Sequence, residues 1–247
     1  MGTGRSGTSL VAGTLARSGY WTGAGHWKAR DTNPKGFFED REVNAINEAL
    51  LSTVTPTVPP GLIGTHFPGR LGDMQRWLAA LPPGVEPRAD SRCRERIQRV
   101  IDHESFALKD PRFCFTLPIW REYLPADTVF IVVFREPSRT ITSMTREINS
   151  QAYLRSVRRS PEQLELLWQR SYQRVLDHYE GSQNWIVLHY EQVVAGDLDR
   201  LGALLGTTID DGFADENLRR SPETSPVQAA TTKIYDRLNE LAGYHAV

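Results

Sequence analysis

The sequence predicts an α/β fold of three layers, with a mostly parallel central sheet and helices on both faces, in one domain spanning residues 1–247. Three observations carry this. A glycine-rich loop, Gly2-Thr3-Gly4-Arg5-Ser6-Gly7-Thr8-Ser9, runs straight into an apolar-periodic stretch beginning at Leu10. The run from Thr128 to Phe134 is almost wholly apolar and rich in β-branched residues, the pattern of a strand covered on both faces. Strand-like and helix-like segments alternate along the rest of the chain.

The elements follow in order. The first helix is expected from Thr8 to Arg17, stopping at Ser18-Gly19. A loop follows, then a turn at Asn33-Pro34-Lys35-Gly36. Val43, Ile46, Leu50 and Leu51 next share one helical face. Residues 52–70 read as loop, and helices are expected over Gly72–Leu81 and Ser91–His103. Ser105–Leu108 reads as a short strand that ends in Lys109-Asp110-Pro111-Arg112. The strand Thr128–Phe134 ends at Arg135-Glu136-Pro137, and a helix continues through Met144. Pro161–Tyr179 is a long amphipathic helix, with Leu164, Trp168, Tyr172 and Val175 on one side. A buried strand follows at Trp185–Leu188, then helices at about 198–205 and 233–242. A loop of the N-terminal type normally follows a buried strand, and only Met1 precedes it here. The expectation is that the first strand is missing or truncated.

Composition narrows the function. Apolar residues make up 40% of the chain and the net charge is −1, which gives no support for a nucleic-acid or membrane surface. No apolar run approaches the length of a membrane span, and nothing reads as a signal peptide. Two cysteines are too few for a disulfide framework or a metal site. Together these point to a cytoplasmic protein without a metal.

The loop is an anion site in waiting. Its glycines allow close backbone approach, and the helix start supplies N–H groups and the positive end of a dipole. Gly2 and Gly7 have the spacing of a nucleoside-triphosphate P-loop and Ser9 fills the Ser/Thr slot, but Thr8 stands where that motif has Lys. The cation sits inside the loop, at Arg5. A second anion site is expected where the strongest strand delivers Arg135, with Ser143 two helical turns on. A metal-dependent kinase would instead place a carboxylate at that strand end.

Two anion sites without the P-loop Lys resemble the sulfotransferases that use 3′-phosphoadenosine 5′-phosphosulfate (PAPS). The run Gly4-Arg5-Ser6-Gly7-Thr8-Ser9 resembles their 5′-phosphosulfate loop, in the Arg-Ser-Gly-Thr form shared with tyrosylprotein and carbohydrate sulfotransferases. Arg135 and Ser143 match the spacing of the family's 3′-phosphate element. His189-Tyr190-Glu191-Gln192 resembles the segment whose Tyr lies near the adenine. Lys109-Asp110-Pro111-Arg112 and the stretch from Asn33 to Asp40 resemble segments of bacterial members. The resemblance runs from residue 2 to about 206 and implies a P-loop-like fold. Nothing matches the Arg-Lys-Gly segment of the cytosolic steroid and phenol enzymes. Arg220, beside Arg219, is the nearest candidate for that role.

The resemblance implies in-line transfer of a sulfuryl group from PAPS to a hydroxyl or amine of a small-molecule, carbohydrate or peptide acceptor. Glu39 is the first candidate base, with His26 the second and His66 a further alternative. Asp40 could equally be a helix N-cap. Lys109 could meet leaving-group charge, fix the acceptor, or simply pair with Asp110. Trp21, Trp27, Phe37 and Phe38 could line an acceptor pocket or belong to the core. A P-loop kinase using Mg-ATP and a non-catalytic nucleotide-binding module are the other readings.

Overall fold

The computed structural model describes residues 1–27, 35–56, 70–179, 184–213 and 225–245. Its centre is a parallel pair, β1 (Phe130–Phe134) and β2 (Trp185–His189), in register from Phe130 opposite Trp185 to Phe134 opposite His189. Around it lie α1 (Thr8–Arg17), α2 (Arg41–Ser52), α3 (Ser91–Val100), α4 (Phe113–Arg121), α5 (Pro137–Ser150), α6 (Pro161–Tyr179), α7 (Tyr190–Val194), α8 (Asp199–Leu205) and α9 (Ala229–Ala242).

The period of two along the strands divides the interior into two cores. Phe130, Val132 and Phe134 of β1, with Val187 of β2, join the larger core, built from α2, α3, α4, α5, α6 and α9. Val133, Ile186 and Leu188 face the other way, into a smaller core with Val11 and Leu15 of α1 and Leu201 of α8. These are the three layers the sequence predicts. One further pairing extends the sheet, and a second stands apart from it. Met1 lies beside β1, donating to Ile131 O and accepting from Val133 N–H at 2.9 Å, as a residue in a parallel strand does. Trp21 forms a parallel bridge with Phe106, within the segment read as a strand at Ser105–Leu108.

Three departures from the sequence reading have a visible local cause. Gly72–Leu81 holds only a single 3₁₀ turn, Arg76–Leu78, preceded by Met74 in the left-handed region at φ 64°. Gln75 turns its amide oxygen back onto Gly72 N–H at 2.9 Å, a local bond that competes with helix. α3 stops at Val100, short of His103, whose ring stacks on Trp21 at 3.7 Å. α4 was not expected, because its sequence FCFTLPIWR carries Pro118 and shows no helical stripe.

A buried charge network ties α2 to α4. Arg112 donates to Glu48 at 2.7 Å and to Asp110 at 3.0 Å, and Arg76 donates to the other oxygen of Glu48 at 2.5 Å. Asn44 and Asn47 of α2 both donate to Asp110, at 2.7 and 3.0 Å. Asn47 Oδ1 in turn accepts from Thr116 and Trp120 of α4. Burial works against the Arg112 charge, but Asp110 and Glu48 outweigh it and raise its pKa. Removing one member leaves buried carboxylates unpaired, a cost of about 3–5 kcal/mol. Arg112→Leu is therefore expected to lower the midpoint of thermal unfolding by about 10 °C, whereas Arg94→Leu, on an exposed pair with Glu122, is expected to leave it within about 2 °C.

Candidate active site

The loop is fastened to β1 before it turns toward solvent. Tyr172 of α6 donates its hydroxyl to Val133 O at 2.8 Å and accepts from Thr3 N–H at 3.4 Å. Burial raises the pKa of Tyr172, which keeps the phenol a donor. Ser6 Oγ donates to Thr3 O at 2.8 Å and closes the turn. Arg5 sits at φ 72°, a conformation that costs a non-glycine residue about 1–2 kcal/mol. Gly7, at φ 97°, is the N-cap of α1, and a Cβ there would lie 2.5 Å from the Tyr190 ring. A Cβ on Gly4 would meet the Trp77 ring at 2.6 Å. Two aromatic rings thus wall the loop.

The start of α1 is open to an anion. No side chain caps it and no acidic residue lies in its first turn. Among the described residues, the N–H groups of Gly7 and Thr8 have no hydrogen-bond partner. Donors and dipole therefore point out of the helix together.

Beside this loop, β1 hands over to Arg135. Its guanidinium lies 4.3 Å from the centre of the Tyr190 ring, its side chain is buried, and its Nε has no partner. Burial lowers its pKa, and Arg139 and Arg5 push the same way. Glu136 caps α5, accepting from Ser138 N–H at 3.0 Å and Arg139 N–H at 2.8 Å. That cap fixes the face of α5 on which Ser143 stands. Arg5 Nε donates to Ser143 Oγ at 3.1 Å, and its Nη1 lies 3.7 Å from buried Glu147 one turn further on. The two anion positions are therefore contiguous, joined through Arg5.

A third group lies at the end of the 105–108 segment. Lys109 and Glu39 form an ion pair at 2.5 Å, both largely buried. Lys109 pairs with Glu39 and not with Asp110, which the network beneath it has already engaged. Lys109 also faces Met1, whose amino group burial holds down to about 6, with a smaller push from Lys109. Asp40 is the N-cap of α2, accepting from Glu42 N–H at 2.9 Å and Val43 N–H at 3.1 Å. His26 is exposed; its Nε2 lies 2.9 Å from Thr22 O, and its backbone bridges to Asp40. Arg220, Arg219 and His66 lie outside the described residues. Arg139 was missed by the reading of the sequence. Arg139, four residues after Arg135, carried the only local signal.

A profile of the sulfotransferase family matches residues 1–208. The chain belongs to the sulfotransferase family. Among solved structures it is similar to the "Sulfotransferase Domain from the Curacin Biosynthetic Pathway", with a TM-score of 0.52, 16% identity, and coverage of 100% of this chain and 96% of that one. At that identity the likeness speaks for the fold, and it agrees with the α/β architecture. No curated protein matches the chain. The family resemblance seen in the loop is met. No helix among the described residues is long and apolar enough to cross a membrane.

In this sulfotransferase-family protein His189 ends β2 beside Tyr190. Its Nδ1 accepts from Glu191 N–H at 3.2 Å, its N–H donates to Gln192 at 2.9 Å, and its Nε2 faces the Tyr235 hydroxyl. Burial, then Arg135 and Arg139, hold its pKa to about 3. The folded state thus keeps His189 neutral, while the unfolded chain takes up a proton below about 6.5. Between those values the unfolded state binds more protons, so folding stability falls as pH falls. The drop in unfolding midpoint from pH 7 to pH 5 is expected to be about 3 °C larger in the wild type than in His189→Asn, measured by circular dichroism.

Proposed function

We propose that the protein transfers a sulfuryl group from PAPS to a hydroxyl or amine of a small-molecule, carbohydrate or peptide acceptor. The observation that supports this reading best is the Nε of Arg135, buried without a partner at the edge of an open helix start. A buried donor with no acceptor is costly, and an anionic ligand relieves it. PAPS has anionic groups at both ends, and this site has cations at two adjoining positions. Arg5 and the N–H groups of Gly7 and Thr8, with the hydroxyls of Thr8 and Ser9, hold the 5′ end, while Ser6 keeps the turn closed through Thr3. Gly4 lets the loop pass against the Trp77 ring. Arg135 and Ser143 hold the 3′-phosphate, and Tyr190 flanks the adenine.

PAPS, when bound, supplies the activated sulfuryl group. Glu39 takes the acceptor's proton as the acceptor atom bonds to sulfur. The S–O bond to the 5′-phosphate breaks, and the electron pair stays on the phosphate oxygen. Lys109, Arg5 and the loop N–H groups meet the charge that develops there. Lys109, in contact with Glu39, also holds the carboxylate in place. His26 stands at the margin of this group, its backbone bridged to Asp40.

Thermal unfolding with 3′,5′-adenosine bisphosphate tests the donor site. At one hundred times its dissociation constant the ligand adds about 2.7 kcal/mol, which raises the midpoint by several degrees. That shift is expected in the wild type and is expected to vanish in Arg135→Ala. Stabilisation by Mg-ATP alone would point to a kinase. Glu39→Gln is expected to keep the bisphosphate shift while losing at least about 100-fold in turnover, assayed with PAPS and a panel of hydroxyl acceptors. Unchanged turnover in that variant would remove Glu39 from the role of base.

A further inference from the structure

The family profile ends at residue 208, and α9 lies beyond it. This helix is held at both ends. Thr231, Ile234, Leu238 and Ala242 form its buried stripe, at helical spacing. At its start, Glu165 of α6 accepts from Gln228 N–H at 2.7 Å and from the Thr231 hydroxyl. At its end, the carbonyl of Ala242 accepts from Gln192 at 3.1 Å and from Arg200 at 2.7 Å. Gly243 then takes φ 61° and turns the chain back, with Tyr244 N–H bonded to Asn239 O at 3.0 Å.

Two tyrosines of this segment meet on His189. The Tyr244 ring stacks on the imidazole at 3.7 Å, with 13° between the planes. Nδ1 of His189 already accepts from Glu191 N–H, so the proton of the neutral ring sits on Nε2, which donates to the Tyr235 hydroxyl at 3.2 Å. Phe134, the last residue of β1, packs edge-on against the same group, its ring 4.9 Å from His189 and 5.8 Å from Tyr235. Gln192 accepts from His189 N–H and donates to Ala242 O, so one amide joins the end of β2 to the end of α9.

The residue after His189 is Tyr190. Its ring fills the space a side chain on Gly7 would need, and the Arg135 guanidinium lies over its face. Tyr190 opens α7, a helix of five residues, too short to fix a side chain by its own backbone bonds. Its direction is set by His189 before it and Gln192 after it, and α9 grips both.

We infer that α9 is a latch on the anion loop: Tyr235 and Tyr244 are positioning residues, which hold His189 and so hold Tyr190 against Gly7 and Arg135. The consequence for nucleotide affinity rests on the donor proposed above; the consequence for the loop itself does not.

Four variants of the full chain test this. Tyr244→Leu removes the stack, Tyr244→Phe keeps it, Tyr235→Phe removes the acceptor for Nε2–H, and Thr231→Val breaks the anchor at the far end of α9. Tyr244→Leu is expected to weaken binding of 3′,5′-adenosine bisphosphate about fivefold by calorimetry, and Tyr235→Phe about threefold. With PAPS both are expected to raise KM by the same factors and to leave kcat within about twofold, since binding is lost and not chemistry. Tyr244→Phe and Thr231→Val are expected to keep the wild-type affinity within about twofold, although Thr231→Val lowers the unfolding midpoint. In the ligand-free protein, Tyr244→Leu is expected to speed amide exchange at least about tenfold at Glu191, bonded to His189, and at Leu10, bonded to Gly7 O, while Thr231→Val is expected to leave both unchanged. Equal loss of affinity in Thr231→Val and Tyr244→Leu would overturn the proposal, since it would reduce the effect to stability. So would unchanged exchange at Leu10 in Tyr244→Leu. A wild-type protein that does not bind the bisphosphate would overturn the donor reading alone, and exchange at Leu10 would then decide the latch.

Discussion

The carbonyl oxygen of Val133 is the point at which strand, loop and long helix meet. It accepts the Tyr172 hydroxyl at 2.8 Å, and a Cβ on Gly2 would stand 2.2 Å from it. The chain can pass over the end of β1 only as glycine, and α6 must lie close enough to place a phenol beneath it. Once these are set, Thr3 reaches the same phenol, Ser6 closes the turn on Thr3, and the open start of α1 faces the cation that β1 delivers next, Arg135. The loop and the strand end are built on one buried backbone atom.

The Lys109–Glu39 pair rests on a different foundation. Lys109 and Glu39 sit on segments that have no regular structure of their own. What holds them is the residue after each: Asp110, locked by Asn44, Asn47 and Arg112, and Asp40, which caps α2. A flexible lysine and a flexible carboxylate are thereby brought together by buried polar groups. Burial of so many polar atoms is tolerable because nearly every one is satisfied.

Much of this was legible in the residues. Periodicity and caps placed α1 and α6 at their observed bounds, and an unbroken apolar run placed β1. Turn chemistry and the strand-end rule brought out Arg5, Arg135 and Ser143. The helix at Phe113–Arg121 stayed hidden because an aromatic run with an internal proline has no helical period, and the expected helix before Leu81 shrank to one turn because Gln75 bonds its own loop. The pairings were beyond reach for another reason. Arg5 meets Ser143 across 138 residues, and Lys109 meets Glu39 across 70, with alternatives such as Asp110 adjacent in sequence. Only the packing of α2 against α4 decides between them.

Trp77 follows directly on Arg76, which is bonded into the Glu48 network, and the Trp77 ring fills the space a side chain on Gly4 would need. One short turn therefore transmits in both directions. Loosening the core at Glu48 shifts a wall of the anion loop, and a bulkier residue at Gly4 pushes on the core. A substitution at Glu48, on the buried face of α2, therefore reaches the loop through Arg76 and Trp77, although it touches no loop residue itself.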